Sequence, residues 1–116
     1  MSIHKGGCHC GKVTYEADVP LEGCIACNCS YCEIKGLILN FIPASQFKLL
    51  TGEDNMTTYH FNKHVISHQF CNDCGVESFA SGKGPDGSEM VAINLRCLKD
   101  IDVSTLTPMH FEGKNL

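Results

Sequence analysis

Nine cysteines in a chain of 116 residues constrain this sequence more than any other feature. They fall in three clusters: Cys8-His9-Cys10, then Cys24 with Cys27-Asn28-Cys29-Ser30-Tyr31-Cys32, then Cys71-Asn72-Asp73-Cys74, while Cys97 stands apart. The N-terminus lacks the apolar stretch of a secretion signal, which predicts a cytosolic protein whose thiols stay reduced. In that setting metal binding outranks a disulfide framework, and the odd count also suits disulfides poorly. Two cysteines one or two residues apart can aim both sulfurs at a point about 2.3 Å away, and a distant second pair then completes a tetrahedron.

Four thiolates around zinc make a closed structural site, whereas three protein ligands leave a position for water or substrate. If Cys8 and Cys10 join Cys71 and Cys74, the ends of the chain are stapled together, and Cys27, Cys29 and Cys32 remain as a set that can stay open. A rival partition sets Cys24 and Cys27, or Cys29 and Cys32, against Cys71 and Cys74 as a zinc ribbon; spacing alone does not exclude it. Cys97, inside the apolar stretch Met90 to Leu98, reads as a small buried residue. Cys24 reads as a buried thiol, a spare ligand or a redox partner of the middle cluster. Iron also accepts four thiolates, so the ion itself is open at this point.

The length suits one hydrophobic core, and 43% hydrophobic with 19% charged residues is the balance of a folded chain, so a single domain over 1–116 is expected. Nine basic against 13 acidic residues, with no block of like charge, give a net charge of -4 and nothing to neutralise a row of phosphates. Nucleic acid is therefore not an expected partner. The longest apolar run, around Leu37 to Ile42, falls far short of the roughly 20 residues that cross a bilayer, so no membrane association is expected either.

Lys12 to Val19 alternates apolar and polar residues through Val13, Tyr15, Ala17 and Val19, the period of a half-buried strand. Leu37 to Ile42 reads as a strand closed by Pro43, and Phe47 to Leu50 runs into the turn cluster Thr51 to Asn55. Met56 to Phe61, Val65 to Phe70 and Glu89 to Leu95 read as further strands, while Ser81 to Gly87 is a loop by composition. No segment of a dozen residues has helical periodicity, although Cys97 to Asp100 and Ser104 to Leu106 suit single turns. The expectation is a mainly antiparallel all-β fold with few or no helices. It places the first cysteine pair just before the first strand, the middle cluster between strands and the last pair at a strand end, with Gly75 able to take a positive φ.

Four ordered blocks carry a resemblance: Cys8-His9-Cys10-Gly11 with Val13 and Tyr15; Cys27 to Cys32; Pro43-Ala44-Ser45 with Phe47, Leu49, Leu50 and Gly52; and Phe70-Cys71 with Cys74-Gly75-Val76. From about Gly7 to Gly113 the chain resembles the glutathione-dependent formaldehyde-activating enzyme family, which includes centromere protein V. Asn28 and Glu33-Ile34-Lys35 stand where many members carry His and Arg. The resemblance implies a Mss4-like all-β fold with two zinc sites, a structural one on Cys8, Cys10, Cys71 and Cys74 and a catalytic-type one on Cys27, Cys29 and Cys32. It also implies the reversible joining of glutathione and formaldehyde to S-hydroxymethylglutathione, a carbon–sulfur lyase reaction in the reverse direction. The expected partners are thus a small thiol such as glutathione and a small aldehyde.

An open zinc position would bind the thiol and deprotonate it for attack on the carbonyl carbon, with a nearby acid protonating the oxygen. His9, between two cysteines, and His68, three residues before Cys71, are the histidines nearest a metal in sequence, and Tyr31 reads as a cover or a donor. His60 and His64 read as exposed, and His4 and His110 lie near the termini. Two other functions compete: a non-catalytic zinc-stabilised protein-interaction module, and a redox sensor using Cys24.

Overall fold

The computed structural model describes residues 3–27, 30–60, 66–84 and 86–111, and only the backbone at Cys27, Ser30 and Phe111. Its strands are β1 (Ile3–Gly7), β2 (Thr14–Asp18), β3 (Ile25–Cys27), β4 (Leu39–Pro43), β5 (Phe47–Thr51), β6 (Met56–Tyr59), β7 (Ile66–Cys71), β8 (Phe79–Lys83), β9 (Glu89–Asn94) and β10 (Met109–Phe111), with one short helix, α1 (Ser30–Lys35), between β3 and β4. The all-β expectation holds. Phe61, His64, Val65 and Gly113 lie outside the described residues.

The alternation in Lys12 to Val19 does its predicted work: Val13, Tyr15, Ala17 and Val19 are all buried. β2 is the middle of a three-stranded antiparallel sheet, between β1 and β5. The second sheet has seven strands in the order β10-β3-β4-β9-β8-β7-β6, antiparallel except for the β10 and β3 pair. The two sheets share one core in which Tyr15 and Val13 meet Ile42, Phe79, Val91 and Ile93. Tyr15 is its keystone, with ring centroids 5.3 Å from Phe47 and 5.9 Å from Phe79, and its hydroxyl donates to the Ser78 carbonyl at 3.3 Å. The opposite face of the large sheet carries a smaller cluster in which Cys32, Leu37 and Leu39 pack on Ala80 and Ala92.

Several local expectations are corrected. Ser81, Gly82 and Lys83 look like loop by composition but continue β8, because the strand is paired on both sides: Ser81 with Ser67 and Val91, Gly82 with Ile66 and Met90. Backbone pairing on both edges overrides weak strand propensity here. β1 precedes the first cysteine pair, which therefore sits between β1 and β2 rather than ahead of the first strand. The middle cluster does not lie wholly in a connection, since Cys27 ends β3 and Cys32 lies in α1. The expected single turns form slightly earlier, as 3-10 turns at Leu95–Cys97 and Val103–Thr105.

Gly52 shows how closely the chain after β5 approaches the chain leading into β2, near the first cysteine pair. It has φ +95, and a Cβ there would lie 2.6 Å from the Lys12 carbonyl oxygen and 2.8 Å from Val13 Cα. Only glycine combines that backbone conformation with that approach. No helix among the described residues is long and apolar enough to cross a membrane.

Candidate metal centre

The end pairs come together. Cys8, Cys10, Cys71 and Cys74 place their four sulfurs within 4.8 Å of one another, a group able to hold a metal ion. Two of the separations are 3.6 Å, from Cys8 to Cys10, and 3.5 Å, from Cys10 to Cys71. A tetrahedron with bonds of about 2.3 Å has edges of about 3.8 Å, so this spacing suits one four-thiolate ion. Among the described residues it is the first pair, and neither Cys24 nor Cys32, that gathers with Cys71 and Cys74.

Both cysteine turns are built alike. In the first, the Cys8 N–H donates to the Val13 carbonyl at 3.0 Å and the Gly11 N–H to the Cys8 carbonyl at 3.3 Å. In the second, the Cys71 N–H donates to the Val76 carbonyl at 3.1 Å and the Gly75 N–H to the Cys71 carbonyl at 2.9 Å. Gly75 takes φ +77, as expected from its place after the last cysteine. These tight turns aim N–H groups at sulfur: Val13 N–H to Cys8 Sγ at 3.3 Å, and Asp73 N–H to Cys71 Sγ at 3.4 Å. The Asn55 amide adds a donor to Cys71 Sγ at 3.5 Å. Donors around sulfur are what a cluster of thiolates requires.

Cys74, Cys8 and Cys10 are shifted in different directions. Burial opposes ionisation of Cys74, but the N–H groups of Cys10 and Val76 and the thiols of Cys8 and Cys71 bring it down to about 6. Cys8 is also lowered, because the Val13 N–H and the Cys10 and Cys71 thiols outweigh its burial. Cys10 accepts the Lys12 N–H, which lowers it, yet burial and its three neighbouring thiols push it up to about 12. A divalent ion that displaces the thiol protons would keep the same four ligands in place. The nearby acid does not compete. Asp73 is turned to Lys12 Nζ at 2.8 Å and Asn55 Nδ2 at 2.9 Å, and chiefly the lysine contact holds it below the usual carboxylate range.

Of the three middle cysteines, Cys32 is buried against Ala80 and Ala92, and Cys27 closes β3, while the Cys27 side chain and all of Cys29 lie outside the described residues. The end of α1 is anchored from two sides. The Gly36 N–H donates to the Cys32 carbonyl at 2.9 Å, and Arg96 Nε, from the chain's one arginine, donates to the Gly36 carbonyl at 2.9 Å. Lys35 Nζ sits 5.6 Å from the Tyr31 ring and 5.2 Å from the Phe70 ring.

The other sequence candidates separate. Cys24 is fully buried in the core and outside the four-sulfur group. Cys97 is only partly buried, contrary to expectation, and its thiol points to the Glu77 carbonyl at 3.8 Å. His9 is exposed, as is His60, whose Nε2 meets Ser67 Oγ at 2.9 Å.

His68 is buried, and its partner is Glu77, a residue the sequence reading did not single out. Tyr31 also bonds Glu77, through its hydroxyl at 2.5 Å. Burial first, and then the Glu77 contact, hold the Tyr31 phenol well above its ordinary value, so it is a donor at neutral pH. The available signal was a lone acid inside the otherwise apolar or small stretch Val76 to Ala80.

Residues 3–111 match the model of the family described as glutathione-dependent formaldehyde-activating enzyme. A crystal structure of a Rhodobacter sphaeroides protein shares the fold, with TM-score 0.81 and 27% identity over 91% of this chain and 97% of that one. With nearly its whole length matched and its terminal cysteine pairs gathered into one cluster, the chain belongs to the glutathione-dependent formaldehyde-activating enzyme family.

Proposed function

We propose that the protein is a zinc-dependent enzyme of carbon–sulfur lyase type that joins and splits a small thiol and a small aldehyde. Glutathione with formaldehyde, or a related pair, is the substrate class. The observation that carries this reading is the use of both terminal cysteine pairs in one cluster within a chain of this family. That assignment leaves Cys27, Cys29 and Cys32 as a separate three-thiolate set for a second ion.

Zinc held by three thiolates would acidify a thiol in its remaining position. The chain's own part is then to orient and to move protons. Burial of Cys32 against Leu37, Leu39, Ala80 and Ala92 keeps water from one side of its sulfur. The thiol sulfur forms a bond to the carbonyl carbon, and the carbonyl oxygen must gain a proton as negative charge develops on it. Three thiolates weaken the Lewis acidity of the ion but preserve the nucleophilicity of a bound sulfur, so thiol chemistry suits this set better than water activation.

Mixing the zinc-loaded protein with glutathione and formaldehyde, and following the adduct by NMR, should give a rate at least tenfold above the spontaneous one. Cys32→Ser should return the rate to the spontaneous level while the four-sulfur centre keeps its ion. A wild-type protein that neither accelerates the reaction nor binds thiol would favour an interaction module without chemistry.

A further inference from the structure

One stretch of chain reaches both cysteine turns of the four-sulfur centre without supplying a ligand: the end of β5 and the 3-10 turn after it, Thr51 to Asn55. At the first turn, Thr51 Oγ1 donates to the Lys12 carbonyl at 3.0 Å, and Gly52 leaves no room for a Cβ against that same carbonyl and Val13. At the second, Asn55 Nδ2 donates to Cys71 Sγ at 3.5 Å and to Asp73 Oδ2 at 2.9 Å. The Asn55 backbone is fixed on both sides: its N–H donates to the Gly52 carbonyl at 2.9 Å, and its carbonyl accepts the Asn72 N–H at 2.9 Å. Asp73 Oδ2 also accepts Lys12 Nζ at 2.8 Å, which links the first turn to the second outside the sulfurs.

The amide has one way to face this corner. A carboxylate only accepts, and so does a thiolate, so the nitrogen of Asn55 and not its oxygen meets both, with one hydrogen for each. Asp73 thereby keeps the second amide hydrogen on Cys71, and Lys12 keeps Asp73 in place. The Lys12 and Asp73 side chains are 60% and 46% exposed, and an ion pair so open to water adds little to folding. The consequence of this bracket therefore lies at the sulfur.

Four thiolates around a divalent ion leave an excess of negative charge, and N–H donors on a ligating sulfur offset it and make that sulfur less ready to take a proton. Taking a proton is how a thiolate parts from a metal, because only the deprotonated form is a ligand. Cys71 is buried and receives the Asp73 N–H at 3.4 Å as well as the Asn55 amide, whereas Cys10 is exposed. A chelator thus meets Cys10 first, and the guarded Cys71 is among the last sulfurs to let go.

We infer that Asn55 is a positioning residue of the four-sulfur centre, and that its bracket with Asp73 and Lys12 sets how slowly the centre gives up its ion. The role belongs to the closed centre alone and is independent of the reaction the protein performs.

The test uses the full chain labelled with nitrogen-15 and loaded with cadmium-113, a spin-active substitute for zinc. The ion of this centre is identified by its couplings to the β-protons of Cys8, Cys10, Cys71 and Cys74. One side-chain amide proton of Asn55 should show a further coupling to the same ion, carried through the N–H···S bond. On addition of excess EDTA that ion should leave Asn55→Ala about tenfold faster than the parent, while the loaded variant melts within a few degrees of it. Lys12→Ala should also release the ion faster, by a smaller factor, and Lys12→Arg, which still donates to Asp73, should release it at the parent rate. No coupling from the Asn55 amide to the ion, or release from Asn55→Ala within twofold of the parent, would overturn the inference. Faster release matched by a large fall in melting temperature would overturn it too, leaving Asn55 a residue of the fold alone. If Asn55→Ala fails to fold, the coupling in the unaltered protein and the two Lys12 variants decide. Failure here leaves the thiol–aldehyde reading untouched, since that stands or falls on adduct formation.

Discussion

Cys71→Ser is expected to abolish the cooperative thermal transition at ordinary temperatures and to release the ion of the four-sulfur centre. Cys71 does two jobs: it is a fully buried member of the main core, and its sulfur lies 3.5 Å from Cys10 in the cluster. An ion held by the cluster would tie the turn after β1 to the end of β7. Structural zinc contributes roughly 10–16 kcal/mol to the folding of small zinc peptides. A domain of this size is stable by only about 5–15 kcal/mol in all. Loss of a zinc ion from the cluster would therefore remove about as much as the whole stability of such a domain, and a serine oxygen is a poor replacement for a thiolate. Circular dichroism melting with metal analysis checks this. A variant that keeps its ion and melts within a few degrees of the parent would show that the cluster is not what holds the ends together.

Tyr15→Ala should cost about 4 kcal/mol in urea unfolding of the metal-loaded protein, the range seen when a large aromatic is cut from a core. Its ring is wholly buried between Phe47 from the small sheet and Phe79 from the large one. The cavity would open between the two layers, where β2 and β8 are each held by pairing on both edges and have little freedom to collapse. Tyr15→Phe should cost no more than about 1 kcal/mol, because the Ser78 carbonyl that accepts the hydroxyl also accepts the Asn94 N–H at 3.1 Å. Equal losses for the two variants would mean that the hydroxyl, and not the ring, carries the contribution.

What the sequence made legible was local or chemical. The period of two through Val13, Tyr15, Ala17 and Val19 is a property of one strand, and it survived folding intact. The paired cysteines were equally plain, since a short spacing fixes two ligands of one ion wherever the chain goes. β1 was hidden because two of its five residues are glycines, and its pairing with β2 supplies what its side chains do not. β3 and β10 are three residues each and depend on one another across more than half the chain. α1, with six residues, is too short to display a helical period. Glu77 was missed for a related reason: its partners are 46 and 9 residues away, and only the folded sheet reveals that an acid in an apolar stretch has two donors waiting. His68, by contrast, drew notice for its nearness to Cys71, yet the partner found for it is this carboxylate.

The proposed function requires seven cysteines to divide into a closed four and an open three. Metal content per chain, measured on the purified protein and on Cys32→Ser, tests it most directly. Two ions per chain, falling to one in the variant with the melting transition largely preserved, is the predicted result. A single ion in the wild-type protein, or two ions retained after Cys32 is lost, would contradict it.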